Sequence, residues 1–355
     1  MATSGFTGHF ISPSKGDNSM KKWIALAGVL LQTSCLAAGS QRVSLSDSVD
    51  AGESYMRVRL LGAVRITTPA VDGESVSELS GLAWDEDEKL LYAVSDKGAL
   101  FHLKPRFRDG LLDSVSVLRG FPLRDRHGKK LKGKKDDSEG LDIINGHNGI
   151  RGDSELVISF EVRPRIKRFS TEGRQLGGYK LPEPLKSLKN YRASNKALEA
   201  VALHPRFGIL TTPEASLKTG SPLYPIIYSL GGKQWRLPDR DTADTAIVGL
   251  DTLPDGSLLT LSRSYSSLVE PVRITLDRVW LDPRCEIGEH QPCRSQRLAS
   301  FNSAKGWSID NFEGVAKRDA THFFIISDNN NFWLQRTLLS YFEILPDASQ
   351  AKDRP

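Results

Sequence analysis

The sequence predicts an all-β fold assembled from repeated four-stranded units. Three observations carry this. A short motif, Glu-Gly followed by an apolar residue, recurs as Ser138-Glu139-Gly140-Leu141, Leu198-Glu199-Ala200-Val201 and Phe312-Glu313-Gly314-Val315, with weaker copies at Leu79-Ser80-Gly81-Leu82 and Ile247-Val248-Gly249-Leu250. Each copy is followed by a short apolar run ending on a charged residue: Asp96, Glu161, Glu214, Arg263 and Asp328. The small residue of the motif returns after 59, 60, 49 and 65 residues. Such a period accommodates four strands with their turns, and no long stretch keeps a helical period.

The elements follow in order. Residues 1–38 read as an export signal. Met20-Lys21-Lys22 is the basic start, Trp23 to Leu31 the apolar run, and Ser34, Ala37, Ala38 and Gly39 the small residues. The run is too short to span a bilayer. Residues 1–19 fit no part of such a signal, which makes Met20 a second candidate start. Two processing routes stay open. Leu31-Gln32-Thr33-Ser34-Cys35 resembles a lipobox that would lipidate Cys35, with Gln32 where the pattern wants Leu; ordinary cleavage between residues 37 and 39 is the other. These routes imply a periplasmic or secreted protein, or an outer-membrane lipoprotein held only by its lipid.

Residues 39–55 are polar and read as a flexible lead-in. Residues 56–346 carry the repeats. The first unit predicts strands at 79–84, 90–95, 99–104 and 114–118, and the second at 139–143, 155–160, 165–170 and 175–181. The third predicts 198–203, 208–212, 225–230 and 234–237, and the fourth 247–252, 257–262, 272–279 and 297–301. The fifth has 312–316, 322–327 and 337–344, and 57–66 from the other end of the chain supplies its missing strand. Residues 347–355 form a tail. Four-stranded units packed radially make a β-propeller, which leaves only short edges. Five blades are expected, with the ring closed by the N-terminal strand. Six blades, with one hidden in a long connection, is the alternative. A β-solenoid has much shorter repeats.

Composition narrows the function. The net charge is +5, and residues 1–37 hold three lysines and one aspartate, so the rest is near +3. That is too mild to argue for nucleic acid. The run Lys129-Lys130-Leu131-Lys132-Gly133-Lys134-Lys135 is either a solvated loop or an anion-attracting rim. Cys285 and Cys293 lie close together in a polar loop, which in an oxidising compartment suits a disulfide. With His290 alone beside them they are too few for a zinc site. Gly306-Trp307-Ser308-Ile309-Asp310 lacks the last glycine of a nucleophile elbow, and no phosphate loop or dinucleotide fingerprint occurs. A monomer is expected.

The repeat itself marks the candidate site. The first strand of a propeller blade lines the central channel, so Glu139, Glu199 and Glu313 stand at its start. The second strand runs antiparallel and returns Asp96, Glu161, Glu214 and Asp328 to the same end. Crowded carboxylates raise one another's pKa or recruit a cation. Oxygen ligands in this number suit Ca²⁺ or Mg²⁺, with Asp310, Asn311, Asn329 and Asn330 as further oxygens. Glu139, Glu161, Glu199, Glu313 and Asp328 are the expected metal ligands, and Glu139, Glu199 and Glu313 the expected catalytic carboxylates. Arg165, Arg263 and Arg336 are the expected substrate-binding residues, because guanidinium beside carboxylate suits a phosphate. The plainer reading makes the glutamates structural latches and the arginines inter-blade ion pairs.

The series Asp137-Ser138-Glu139-Gly140-Leu141, Ser159-Phe160-Glu161 with Arg165-Ile166, Ala197-Leu198-Glu199-Ala200 and Asp310-Asn311-Phe312-Glu313-Gly314 resembles the bacterial phytase-like domain, described as having esterase-like activity of phytase type. Pro122-Leu123-Arg124-Asp125, Ser327-Asp328-Asn329-Asn330-Asn331-Phe332 and Gln335-Arg336-Thr337-Leu338-Leu339 extend the similarity over roughly residues 60–345. Ser262 is a departure, since relatives tend to carry Glu before the arginine. The resemblance implies a propeller and a phosphoester substrate. Three functions follow as expectations: a Ca²⁺-dependent phosphoester hydrolase, a non-catalytic propeller that binds or scaffolds envelope components, and a lactonase-like esterase.

Overall fold

The computed structural model describes residues 39–239, 244–264, 271–289, 291–331 and 335–346. Residues 1–38, which carry the expected export signal and Cys35, residues 347–355 and His290 lie outside the described residues. Five antiparallel blades form a propeller. Blade 1 is Leu79–Asp85, Leu90–Ser95, Ala99–Arg108 and Leu111–Pro122; blade 2 is Ser138–Ile144, Glu155–Phe160, Arg165–Ser170 and Gln175–Tyr179. Blade 3 is Leu198–His204, Gly208–Pro213, Ile226–Ser229 and Gln234–Arg236; blade 4 is Thr245–Thr252, Leu258–Ser264, Arg273–Trp280 and Arg294–Asn302.

Blade 5 closes the ring with strands from both chain ends. Asn311–Lys317, His322–Asp328 and Leu338–Ile344 are followed outward by Val58–Ile66 and then Ser40–Val43. The fourth strand matches the one expected from residues 57–66. The lead-in does not match its expectation as flexible: Ser40 to Val43 pair with Ile66 to Ala63. The outward edge of Val58–Ile66 would otherwise leave backbone N–H and C=O groups unpaired, which favours one more strand. The outer hairpin of blade 1 also runs longer than expected. Its two strands meet at Asp109 and Gly110, with φ of 53° and 78°. Asp-Gly is the sequence that tolerates two left-handed residues in a tight hairpin turn.

The core lies between blades. Five buried clusters each join neighbouring blades, as where Val94 and Leu100 of blade 1 meet Leu156, Ile158 and Phe160 of blade 2. Blades 3 and 4 carry a further tie. Cys285 and Cys293 form a disulfide in the loop before the last strand of blade 4. That loop donates from Ile287 N to Gln234 O and from Cys293 N to Arg236 O, covering the outer edge of blade 3.

The motif glycines explain themselves at the channel waist. A Cβ on Gly81 would lie 2.3 Å from Glu139 O, and one on Gly140 would lie 2.6 Å from Val201 N. The inner strands approach so closely there that only hydrogen fits. The residue just before each small residue is bulged. Pairing jumps from Leu79 to Gly81, Leu198 to Ala200, Ile247 to Gly249 and Phe312 to Gly314, and over Glu139 and Gly140 between Ser138 and Leu141. A bulge inserts an unpaired residue and re-aims its side chain. Ser80, Glu139, Glu199, Val248 and Glu313 occupy it.

Candidate functional site

The bulges and the second-strand ends place a ring of carboxylates at one mouth of the channel. Glu161, Glu199, Glu313 and Asp328 are buried there and Glu139 is partly exposed. Burial raises the Glu139 and Glu199 carboxyls well above the usual range, and neighbouring carboxylates add to it: Glu313 and Glu161 for Glu139, Glu139 and Glu214 for Glu199. Glu161 is pushed up to about 8 by burial and by Glu214 and Asp137, and Asp328 to about 8 by burial and by Glu313. Asp96 is raised to about 7 by burial and by Glu78. Burial is the largest cause in each case, and the crowding of like charges adds to it.

Hydrogen bonds divide the ring. Glu313 is well supplied: Arg263 Nη1 donates to its Oε1 at 2.7 Å and Asn311 Nδ2 at 2.9 Å. Arg263 also donates from Nη1 to Asn311 Oδ1 at 2.6 Å and from Nη2 to Glu214 Oε1 at 3.2 Å. It therefore ties blades 3, 4 and 5 together. Asp328 accepts from Asn330 N at 2.7 Å and Glu161 from Ala197 N at 3.1 Å. Glu139 and Glu199 differ. Among the described residues, no donor reaches either carboxylate. Ser159 Oγ of blade 2 bonds the backbone at this point, accepting from Gly140 N and donating to the backbone oxygen of Glu199.

Two overlapping triads surround these glutamates. Asp137, Glu139 and Glu161 offer oxygens all within 4.8 Å of one another, and so do Glu161, Glu199 and Glu214. A calcium ion about 2.5 Å from each ligand places ligand oxygens up to about 5 Å apart. The donor set is all oxygen and strongly anionic, and two of its members lack protein donors. It fits a hard divalent cation, with Glu161 common to both triads.

The predicted arginines separate. Arg263 stands among the carboxylates. Arg165 does not join them: it donates to the carbonyls of Arg163 and Lys135, and its guanidinium stacks 3.8 Å from the Phe160 ring. Arg336 is held by Asp310, with Nε to Oδ2 at 3.3 Å, and by Ser308. Three residues enter that sequence reasoning did not assign to the site. Asp137 joins the first triad; Glu78 is buried and receives Lys97 Nζ at 3.0 Å. Lys97 also lies 3.4 Å from Asp96. A period of two was the available signal. Glu78, Asp137 and Asn311 each stand two places before the bulged residue, on the same strand face.

The family model described as phytase-like, esterase-like activity of phytase, matches residues 74–331. The chain belongs to the phytase-like family. No curated protein matches it. Among solved structures, this phytase-like chain is similar to the Dos1 propeller, at 9% identity over 84% of each chain with a TM-score of 0.33. It is also similar to a gluconolactonase from Xanthomonas campestris, at 12% identity over 85% of this chain and 100% of the other, with a TM-score of 0.37.

Proposed function

We propose that the acidic mouth is a Ca²⁺-dependent phosphoester hydrolase site in an exported protein. The observation that carries the reading is the pair Glu139 and Glu199, the first partly exposed and the second buried, neither with a protein donor among the described residues and each inside an oxygen triad that shares Glu161. Asp137, Glu139, Glu161, Glu199 and Glu214 would hold the cation, which when bound neutralises phosphate oxygens and draws electron density from phosphorus. Arg263 orients substrate oxygens from the blade 4 side. Glu199 or Glu139 takes a proton from the attacking water as its oxygen bonds to phosphorus. Asp328, at the same mouth, returns a proton to the ester oxygen as that bond breaks. The disulfide supports an oxidising compartment.

The test is metal analysis of purified protein together with a phosphoester panel assayed in Ca²⁺. Bound calcium and turnover that disappears in the Glu139→Gln/Glu199→Gln/Glu313→Gln protein is the expected result. No turnover above that control sinks the hydrolase reading. Lactone turnover alone would favour the esterase, and a stoichiometric partner with no metal would favour a binding propeller.

A further inference from the structure

We propose that the opposite end of the channel is a second, separate binding site, built for a small zwitterion of amino-acid size. A cavity of about 680 Å³ opens there, among the far ends of the first strands and the turns that follow them. Its size lies in the range of small-molecule sites. It does not communicate with the acidic mouth. Between the two the inner strands meet at Gly81, Gly140, Gly249 and Gly314 and enclose only about 10 Å³. A ligand in this chamber therefore belongs to it alone.

The walls carry two charges, on blades 2 and 5, that form no ion pair among the described residues. Asp142 of blade 2 is fixed by backbone donors: Ile143 N to Oδ1 at 2.7 Å and Leu203 N to Oδ2 at 2.6 Å. Among the described residues it has no ion pair. Asp251, the acid across the chamber, is already matched. It accepts from the Lys317 and Thr252 backbone, and Lys317 Nζ stands 3.7 Å away while donating to Thr252 O. Burial and the nearby Asp251 raise Asp142 to about 7, with Lys317 and the two backbone donors only partly opposing them. An ammonium would supply a counter-ion, through the lone pairs that the two backbone donors leave open.

Arg318 of blade 5 lines the same cavity and has the complementary need. Its Nη1 donates to Tyr341 Oη at 2.5 Å, and the guanidinium lies 4.4 Å from the Phe107 ring centre. Its other N–H groups donate to no described residue. That leaves an oriented fork for a carboxylate. Trp84, Ile143, Leu203 and Pro254 supply apolar wall between the two charges. A simple amine would face Lys317 and Arg318, and a simple carboxylate would face Asp142 and Asp251, with Glu86 and Asp319 also on the wall. Only a molecule with both charges on a short carbon frame satisfies both sides.

The full chain is screened by thermal unfolding against the common L-amino acids. The best binder is then titrated calorimetrically beside its decarboxylated amine and its deaminated acid. At least one amino acid should raise the unfolding midpoint, and each single-charge analogue should bind at least about tenfold more weakly, the loss of one charge-assisted hydrogen bond. Asp142→Asn, which keeps an oxygen for Leu203 N, should weaken the amino acid by a similar factor. Arg318→Gln should weaken the amino acid and leave the amine unchanged. No shift from any amino acid overturns the proposal, as does equal binding of the amine or indifference to Arg318→Gln. Should Asp142→Asn fail to fold, the Arg318→Gln titration decides by itself.

Discussion

Glu199 and Glu313 hold the same bulged position of the same repeat, in blades 3 and 5, and both are buried. Their surroundings are opposite. Glu313 meets Arg263 and Asn311 and serves as an inter-blade latch. Glu199 has carboxylates as its neighbours, Glu139 and Glu214 foremost, and Ser159 of blade 2 bonds its backbone oxygen. Glu139 likewise has carboxylates as its neighbours. The lesson is that a repeat equates residues by register, whereas the neighbouring blade decides what each can do. In the half of the mouth made by blades 2 and 3, Glu139 and Glu199 keep no donor among the described residues, although Arg263 and Lys196 reach Glu214. The half made by blades 4 and 5 carries its own guanidinium.

The sharpest way to break this contrast is to neutralise one member of each half. Glu199→Gln should lower phosphoesterase kcat by about 10²-fold or more, the scale of a lost general base, with the fold intact by circular dichroism. Equal activity in Glu199→Gln and wild type would place the chemistry elsewhere. Arg263→Met leaves Glu313 and Glu214 facing each other without their shared cation. Breaking a buried pair in this way costs about 3 kcal/mol or more in denaturant unfolding without metal. Added Ca²⁺ should recover part of that loss, because the freed carboxylates can ligate. An Arg263→Met protein as stable as wild type in chelator would remove the latch from the argument.

The pH dependence of metal-free protein is expected to follow the raised carboxyls. Asp96 near 7 and Glu161 and Asp328 near 8 lie above their unfolded values of about 4, so the folded state binds more protons between these limits. Their contribution is greatest below the unfolded value and is lost as pH rises through 7 to 8. In chelator, Tm should therefore fall between pH 5 and pH 8, and Ca²⁺ should restore more at pH 8 than at pH 5. A Tm that climbs with pH in chelator would contradict the uncompensated cluster. The smallest effect belongs to Ser159→Ala. It removes the bond to the backbone oxygen of Glu199 and should cost about 1 kcal/mol in urea unfolding, with calcium affinity nearly unchanged. A large loss of calcium affinity would mean that Ser159 positions the Glu199 carboxylate after all.

Much of the architecture was legible because it is local. Alternation and turn residues mark the strands, the small residue of the motif marks the waist, and antiparallel return brings Glu161 and Asp328 back beside Glu139 and Glu313. The edge strand Ser40–Val43 was not legible, since its polar residues gain a partner only when Val58–Ile66 has joined blade 5. Arg165 and Arg336 were assigned to the site on proximity in sequence. Phe160 and backbone carbonyls hold the first and Asp310 the second, for reasons no spacing reveals.

The sequence by itself determined the repeat of four-stranded units, the closure by residues 57–66 and the strand ends where carboxylates recur, because register and chain direction follow from patterns a few residues long. Only the tertiary structure decided which of those carboxylates lack donors. Arg263 reaches Glu313 across 50 residues of chain, and Glu139 and Glu199 are left to one another. Hydrogen-bond partners come from the adjacent blade, and their reach is a matter of ångströms that periodicity does not encode.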